Sequence, residues 1–169
     1  MNPCMSGTGR ILVVGVGNEL LSDDGVGVHA ARELQREPMP GVTVVEIGTA
    51  ILHGLPFIEE ADRVLVIDAA KGGQPPGTMY LFEPRESAWG GTAKSIHALG
   101  LWEAARLLLV GKAPPITVLG VEPASFQLGL TLSAPVHAAL PRLVSLARET
   151  IAQWRGAEEA ERVGTLVAA

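Results

Sequence analysis

Residues 11–27 read ILVVGVGNELLSDDGVG. The run 11–14 is apolar and rich in β-branched side chains, and glycines follow at once, which predicts a buried strand. Gly15, Gly17 and Asn18 then turn the chain, and Asp23-Asp24-Gly25 falls where a helix should begin. Carboxylates at that place face unpaired backbone N–H groups and the positive end of the helix macrodipole. A strand, a glycine-rich turn and acids at a helix start put a site at the carboxyl edge of an α/β sheet. A dinucleotide fingerprint fits badly. Residues 15–20, GVGNEL, lack the third glycine, and two acids would repel a pyrophosphate rather than cradle it.

Outward from this stretch, Val26, Ala30, Ala31 and Leu34 recur at helical spacing, and Pro38 and Pro40 end that helix near residue 37. Residues 42–47 predict a second strand ending at Gly48-Thr49. Residues 51–61 predict a helix whose first turn is irregular because of Gly54 and Pro56. Residues 64–67 are continuously apolar, as a strand covered on both faces should be, and end at Asp68, expected as an exposed strand-end carboxylate. Only AAKGGQPPGT, residues 69–78, separates Asp68 from a short strand at 79–82. A parallel return needs a longer crossover, so that strand should run antiparallel.

Residues 83–94 form a loop holding Trp89 and Gly90-Gly91, and Ser95 can cap a helix over 96–110. A last strand at 116–120 leads into Val121-Glu122-Pro123, and Ser133 caps a final helix with Pro135 at its first position. Val136, Leu140, Leu143, Ala147, Ile151 and Trp154 share one face of that helix, and Pro141 predicts a kink or restart. The expected fold is α/β: one three-layer α/β/α domain over residues 10–155, with a five-stranded, mostly parallel sheet and one antiparallel strand. Residues 1–9 are expected as a flexible N-terminus. Residues 156–169 lose apolar periodicity and are expected as a frayed, disordered tail.

The chain has 169 residues, of which 47% are hydrophobic and 18% charged, so most of it is packed rather than solvated. A net charge of −5 without a basic run argues against a nucleic-acid surface. One cysteine, Cys4, and four histidines exclude a disulfide framework and a cysteine-rich zinc site. No apolar run approaches the roughly 18–20 residues of a membrane span, and residues 1–10 hold no apolar signal core, so the expectation is a soluble cytoplasmic protein.

Three candidates converge on one sheet edge: Asp24 after the first strand, Asp68 at the end of the third, and His97 in the first turn after Ser95. A helix N-terminus disfavours imidazolium, which should hold the His97 pKa at or below about 6.5. Two carboxylates and an imidazole suit a first-row divalent ion and leave coordination positions open. Each residue also has an ordinary role open to it. Asp23 and Asp24 can cap the first helix, the expected role for Asp23; Asp68 can begin an Asx turn; His97 can be a hydrogen-bonded helix-start residue. His53 could approach the same edge, whereas His29 and His137 are expected in solvent. Glu122, ending the last strand, is a candidate to support the site from behind. Ser22, Ser95 and Ser133 show no triad spacing and no G-x-S-x-G elbow, so a serine nucleophile is not indicated.

GVGNELLSDDGVG, Gly48-Thr49, VLVIDAAKGGQPPGT, SIHALGL and LGVEP, in that order, resemble the hydrogenase maturation endopeptidases over residues 10–154. Those enzymes trim a C-terminal extension from the large subunit of nickel–iron hydrogenases. The resemblance implies an α/β/α fold with a five-stranded mixed sheet. It implies nickel ligands at the places of Asp24, Asp68 and His97, the first position being glutamate in some relatives. It also implies that nickel already seated in the hydrogenase large-subunit precursor is the recognition signal, rather than a permanently bound cofactor. Gly48, Thr49 and Glu122 are then candidates to touch the substrate. No conventional nucleophile is present, and Asp24 and Asp68 stay equally open as general base. Two other readings keep the same ligands: a nickel-delivery module that cleaves nothing, and a metal-dependent hydrolase with a resident ion and an unrelated substrate.

Overall fold

The computed structural model describes residues 9–84, 94–109 and 111–167. Cys4, the loop residues Trp89 and Gly90-Gly91, and nearly all of the expected flexible N-terminus lie outside the described residues. The described strands are β1 (Ile11–Val16), β2 (Val42–Gly48), β3 (Arg63–Ala69), β4 (Met79–Phe82) and β5 (Ile116–Val121). The helices are α1 (Val26–Arg36), α2 (Leu55–Glu60), α3 (Ile96–Leu108) and α4 (Ala134–Val167). Single 3-10 turns, Ser22–Gly25 and Ile51–Gly54, precede α1 and α2.

The sheet order is β2-β1-β3-β5-β4, with β4 antiparallel to β5 and every other pair parallel. The ten-residue link from Asp68 to β4 is too short to cross the sheet, which is why β4 turns back. Alternation along the strands separates two cores. Ile11, Val13, Leu65, Ile67, Leu119 and Val121 pack with Val26, Ala30 and Leu34 of α1 and with Val136, Leu143, Ala147 and Ile151 of α4. Leu12, Val14, Val16, Val64, Val66, Ile116 and Val118 pack with Ile58 of α2 and Ala98, Leu101 and Ala105 of α3. The result is the expected three-layer sandwich.

Two features of this frame position the site. The chain leaves β1 for β2 on one side and later returns to place β3 on the other, so a crevice opens at the carboxyl ends of β1 and β3. Asp68 is in phase with Val64 and Val66, so its side chain belongs to the α3 face. It lies within β3 rather than beyond its end, and it is fully buried, not exposed as the sequence suggested. The segment from Gly156, expected to fray, continues α4 as far as Val167. Its alanines, glutamates and arginine are good helix formers, and Glu158 accepts the Gly9 N–H at 3.1 Å. Pro141 lies inside α4 without interrupting it.

Candidate metal centre

Asp24 belongs to the 3-10 turn between β1 and α1, and the glycines around it set its position. Gly17 has φ +122°, and a β-carbon there would lie 1.8 Å from the Asp24 carbonyl oxygen. At Gly27, in the first turn of α1, a β-carbon would lie 2.0 Å from the Ile67 carbonyl oxygen. The helix therefore starts directly against β3, and Asp24 is brought up to Asp68. Gly27 supplies the close helix–strand approach that the stretch 15–20 had no glycine to provide.

Asp24 Oδ2 accepts the Asn18 N–H at 2.9 Å and lies 3.0 Å from His97 Nε2. Asp24 Oδ1 has no hydrogen bond among the described residues. Asp68 is held on both oxygens. Oδ1 accepts the Ala69 N–H at 2.8 Å, while Oδ2 accepts the Ser95 hydroxyl and the Ala98 N–H, the latter at 3.3 Å. Ser95 also caps α3 by accepting the Ala98 N–H at 3.2 Å. One serine thus starts the helix, orients Asp68, and places His97 two residues later.

The ligand atoms of Asp24, Asp68 and His97 all lie within 4.8 Å of one another. Two atoms bound to one first-row ion lie at most about 4.4 Å apart, twice a bond of about 2.2 Å. The three stand within about half an ångström of that reach. Two oxygens and an imidazole nitrogen, with no sulfur, suit a divalent first-row ion.

Electrostatics at the three residues are coupled. Burial pushes the Asp68 carboxyl up to about 6, against the opposing pull of His97 and Ser95. Burial also raises Asp24, but the His97 hydrogen bond and the Asn18 N–H outweigh it and hold the group below the ordinary carboxylate range. His97 is raised above its ordinary value by its hydrogen bond to Asp24, against desolvation and with help from the Asp68 charge. The expectation from the helix N-terminus is thereby reversed. A carboxylate in direct contact and a second nearby exceed the half-charge of a helix end.

Neither aspartate caps α1, since no side-chain cap bond forms there. Asp23 is structural as expected, but by another route. Fully buried, it accepts the N–H groups of Ala124 (2.8 Å), Ser125 (3.0 Å) and Ser133 (2.7 Å) and the Ser133 hydroxyl (2.8 Å). It fastens the β5–α4 loop onto the turn that carries Asp24. Glu122 is buried and points into the β3–β4 loop, where its Oε2 accepts the Gly72 N–H at 2.7 Å, the Gln74 N–H at 3.3 Å and the Tyr80 hydroxyl. Burial and this bond to Glu122 push the Tyr80 hydroxyl up to about 12. Gly48 has φ +56°, and its carbonyl accepts the Gly17 N–H at 3.0 Å, while Thr49 beside it is exposed. His53 and His137 are exposed and His29 is half-buried on α1; none joins the metal-ligand group. Ser22 donates to the Thr131 carbonyl and Ser133 to Asp23, so neither is poised as a nucleophile.

Residues 28–150 match the family model described as hydrogenase maturation protease. Asp68 and His97 lie inside the matched region and Asp24 just ahead of it. The chain is 34% identical to the hydrogenase expression/formation protein HupD of Bradyrhizobium diazoefficiens, over 90% of this chain and 83% of that one. It is 35% identical to the hydrogenase 2 maturation protease of Escherichia coli, over 83% of this chain and 92% of that one. Among solved structures, the hydrogenase maturating endopeptidase HybD of Escherichia coli superposes with a TM-score of 0.74 at 28% identity, covering 85% of this chain and 93% of that one. A nickel–iron hydrogenase maturation protease HybD from Thermococcus kodakarensis superposes with a TM-score of 0.72 at 29% identity, covering 84% and 99%. The chain belongs to the hydrogenase maturation protease family and is a peptidase.

Proposed function

We propose that this chain acts in the cytoplasm to remove a C-terminal extension from the nickel-loaded large-subunit precursor of a nickel–iron hydrogenase. Asp24, Asp68 and His97 hold the nickel that the precursor carries. The observation that carries this reading is the convergence of those three ligand atoms within 4.8 Å at the crevice between β1 and β3. The nickel belongs to the substrate. Captured by this group, it fixes the precursor's terminal segment over the site and supplies Lewis acidity toward a carbonyl or a water.

The chain's own residues then divide the work. Asp68 has both oxygens engaged and is the rigid ligand, its orientation set by Ser95 and the first turn of α3. His97 gives up the Asp24 hydrogen bond to offer Nε2 to the ion, so metal displaces a shared proton there. Asp24, with Oδ1 unengaged among the described residues, is the carboxylate with a lone pair left to accept a proton from the attacking water. Gly48, whose carbonyl accepts the Gly17 N–H, and the exposed Thr49 beside it would offer backbone and hydroxyl groups to an extended peptide. Glu122 keeps the β3–β4 loop in shape and acts on the substrate only through it.

Incubating precursor with the wild type, Asp24→Ala and His97→Ala, and scoring the released C-terminal peptide by mass, tests this reading. Both variants should keep the fold and lose release. Cleavage by either variant at the wild-type rate would remove the cluster from the reaction.

A further inference from the structure

The β5–α4 loop, residues 123–133, contains no charged residue, although the whole chain is 18% charged. It is firmly held. Asp23 accepts three of its N–H groups and one hydroxyl. Ser22 N–H donates to the Gly129 carbonyl at 2.8 Å, Gly129 N–H donates to the Leu20 carbonyl at 2.9 Å, and the Ser22 hydroxyl reaches the Thr131 carbonyl. Alternate residues near its two ends, Phe126 and Leu132, pack against the core. The two between them do the opposite: Leu128 is 91% exposed and Leu130 71% exposed. Leu20, bonded to the same loop through its carbonyl, is 59% exposed. A chain that commits a buried carboxylate to fixing a loop, and then presents leucines from it to water, has built a binding surface rather than left a loose one.

We infer that Leu20, Leu128 and Leu130 form an apolar docking ridge for an uncharged, apolar segment of the precursor next to its scissile end. The inference rests on the proposed function and identifies what the precursor meets beside the metal centre. Position supports the choice of occupant. Leu20 is two residues from Asn18, whose N–H holds Asp24, and its carbonyl accepts the N–H of Gly129, between Leu128 and Leu130, so the ridge is tied to the turn that carries the site. Charge supports it as well, because Glu19, the chain neighbour of Leu20, is already paired with Arg32. On the α3 side of the cluster, Ile96, the chain neighbour of His97, is 80% exposed.

The test compares the wild type with the double variant Leu128→Asp/Leu130→Asp and the milder Leu128→Ser/Leu130→Ser, using nickel-loaded precursor. Precursor binding and cleavage are measured separately, together with sedimentation of each protein alone. The aspartate pair should weaken precursor binding and raise KM by at least about tenfold, with kcat within about twofold, since these side chains touch no reacting group. The serine pair should shift both in the same direction by less. The thermal midpoint and the affinity for nickel ion added to the protein alone should stay unchanged. Unchanged precursor binding by the aspartate pair overturns the ridge. So does a wild-type dimer that the aspartate pair converts to monomer without loss of precursor binding, because the ridge would then serve a second copy of this chain. Binding without cleavage by the wild type, abolished by the aspartate pair, keeps the ridge and refutes the proposed reaction. A wild type that neither binds nor cleaves refutes both.

Discussion

Asp23→Ala is the substitution whose cost the structure sets most clearly. The carboxylate is fully buried and serves three backbone N–H groups and one hydroxyl, all on the β5–α4 loop. A buried donor left without its acceptor costs about 1–3 kcal/mol. These donors are partly accessible once the loop loosens, and the hydroxyl can turn away, so the low end applies to each. The sum is about 3–5 kcal/mol, well above the roughly 0.5–2 kcal/mol of a lost helix cap. For a domain of this size that corresponds to a fall of about 6–20 °C in thermal midpoint. Urea unfolding followed by circular dichroism measures it, with Asp23→Asn expected to fall between the two because the amide keeps one acceptor oxygen. In the folded fraction the loosened loop should raise KM for the precursor more than it lowers kcat. A loss below about 2 kcal/mol would show that the loop is held by other contacts and that Asp23 is no latch.

Asp68→Asn should abolish precursor cleavage, because an amide is a poor ligand for a divalent ion. It should change stability by no more than about 2 kcal/mol, since the amide keeps one acceptor and sheds the cost of burying a charge; a melting curve beside the cleavage assay reads both. Gly17→Ala should destabilise by more than about 2 kcal/mol, given φ +122° and a β-carbon 1.8 Å from the Asp24 carbonyl oxygen. Urea midpoints test that, and a neutral substitution would refute the packing at Asp24. Glu122→Gln should cost about 1–3 kcal/mol at neutral pH. Burial raises Glu122, but Tyr80 and the loop N–H groups outweigh it, so its folded pKa lies below the ordinary 4.5. A depressed acid contributes stability above its unfolded pKa and loses it as pH falls through the folded value. The gap between wild type and Glu122→Gln should therefore be full above pH 4.5 and close below it; a gap that is constant with pH would refute the assignment.

The sheet was legible because its signals are local. Apolar runs ended by Gly-Thr, by Asp68 and by Glu122-Pro123 mark the strands, and a link of ten residues suffices to reverse β4. Asp24, Asp68 and His97 could be gathered at one edge because strand ends and a helix start share that edge in a parallel sheet. The role of Asp23 could not be read locally, since its partners stand 101 to 110 residues away and the acid looks like any helix-start residue. The direction of the His97 shift is hidden from the sequence for a related reason. A helix end is visible in sequence, whereas a carboxylate 3.0 Å away across the crevice is not. The end of α4 differs from the expectation because apolar periodicity measures burial, and an exposed helix needs only residues of good propensity.

On the proposed function, the cluster acts on nickel delivered by the substrate. This is tested most directly by presenting the same precursor to the wild type with and without its nickel, and weighing the product. A C-terminal peptide should be lost from the nickel-loaded precursor near neutral pH, and none should be lost from the nickel-free one at any pH at which the enzyme stays folded. Efficient cleavage of the nickel-free precursor would contradict that reading, and would leave Asp24, Asp68 and His97 as the acid–base residues of an ordinary hydrolase.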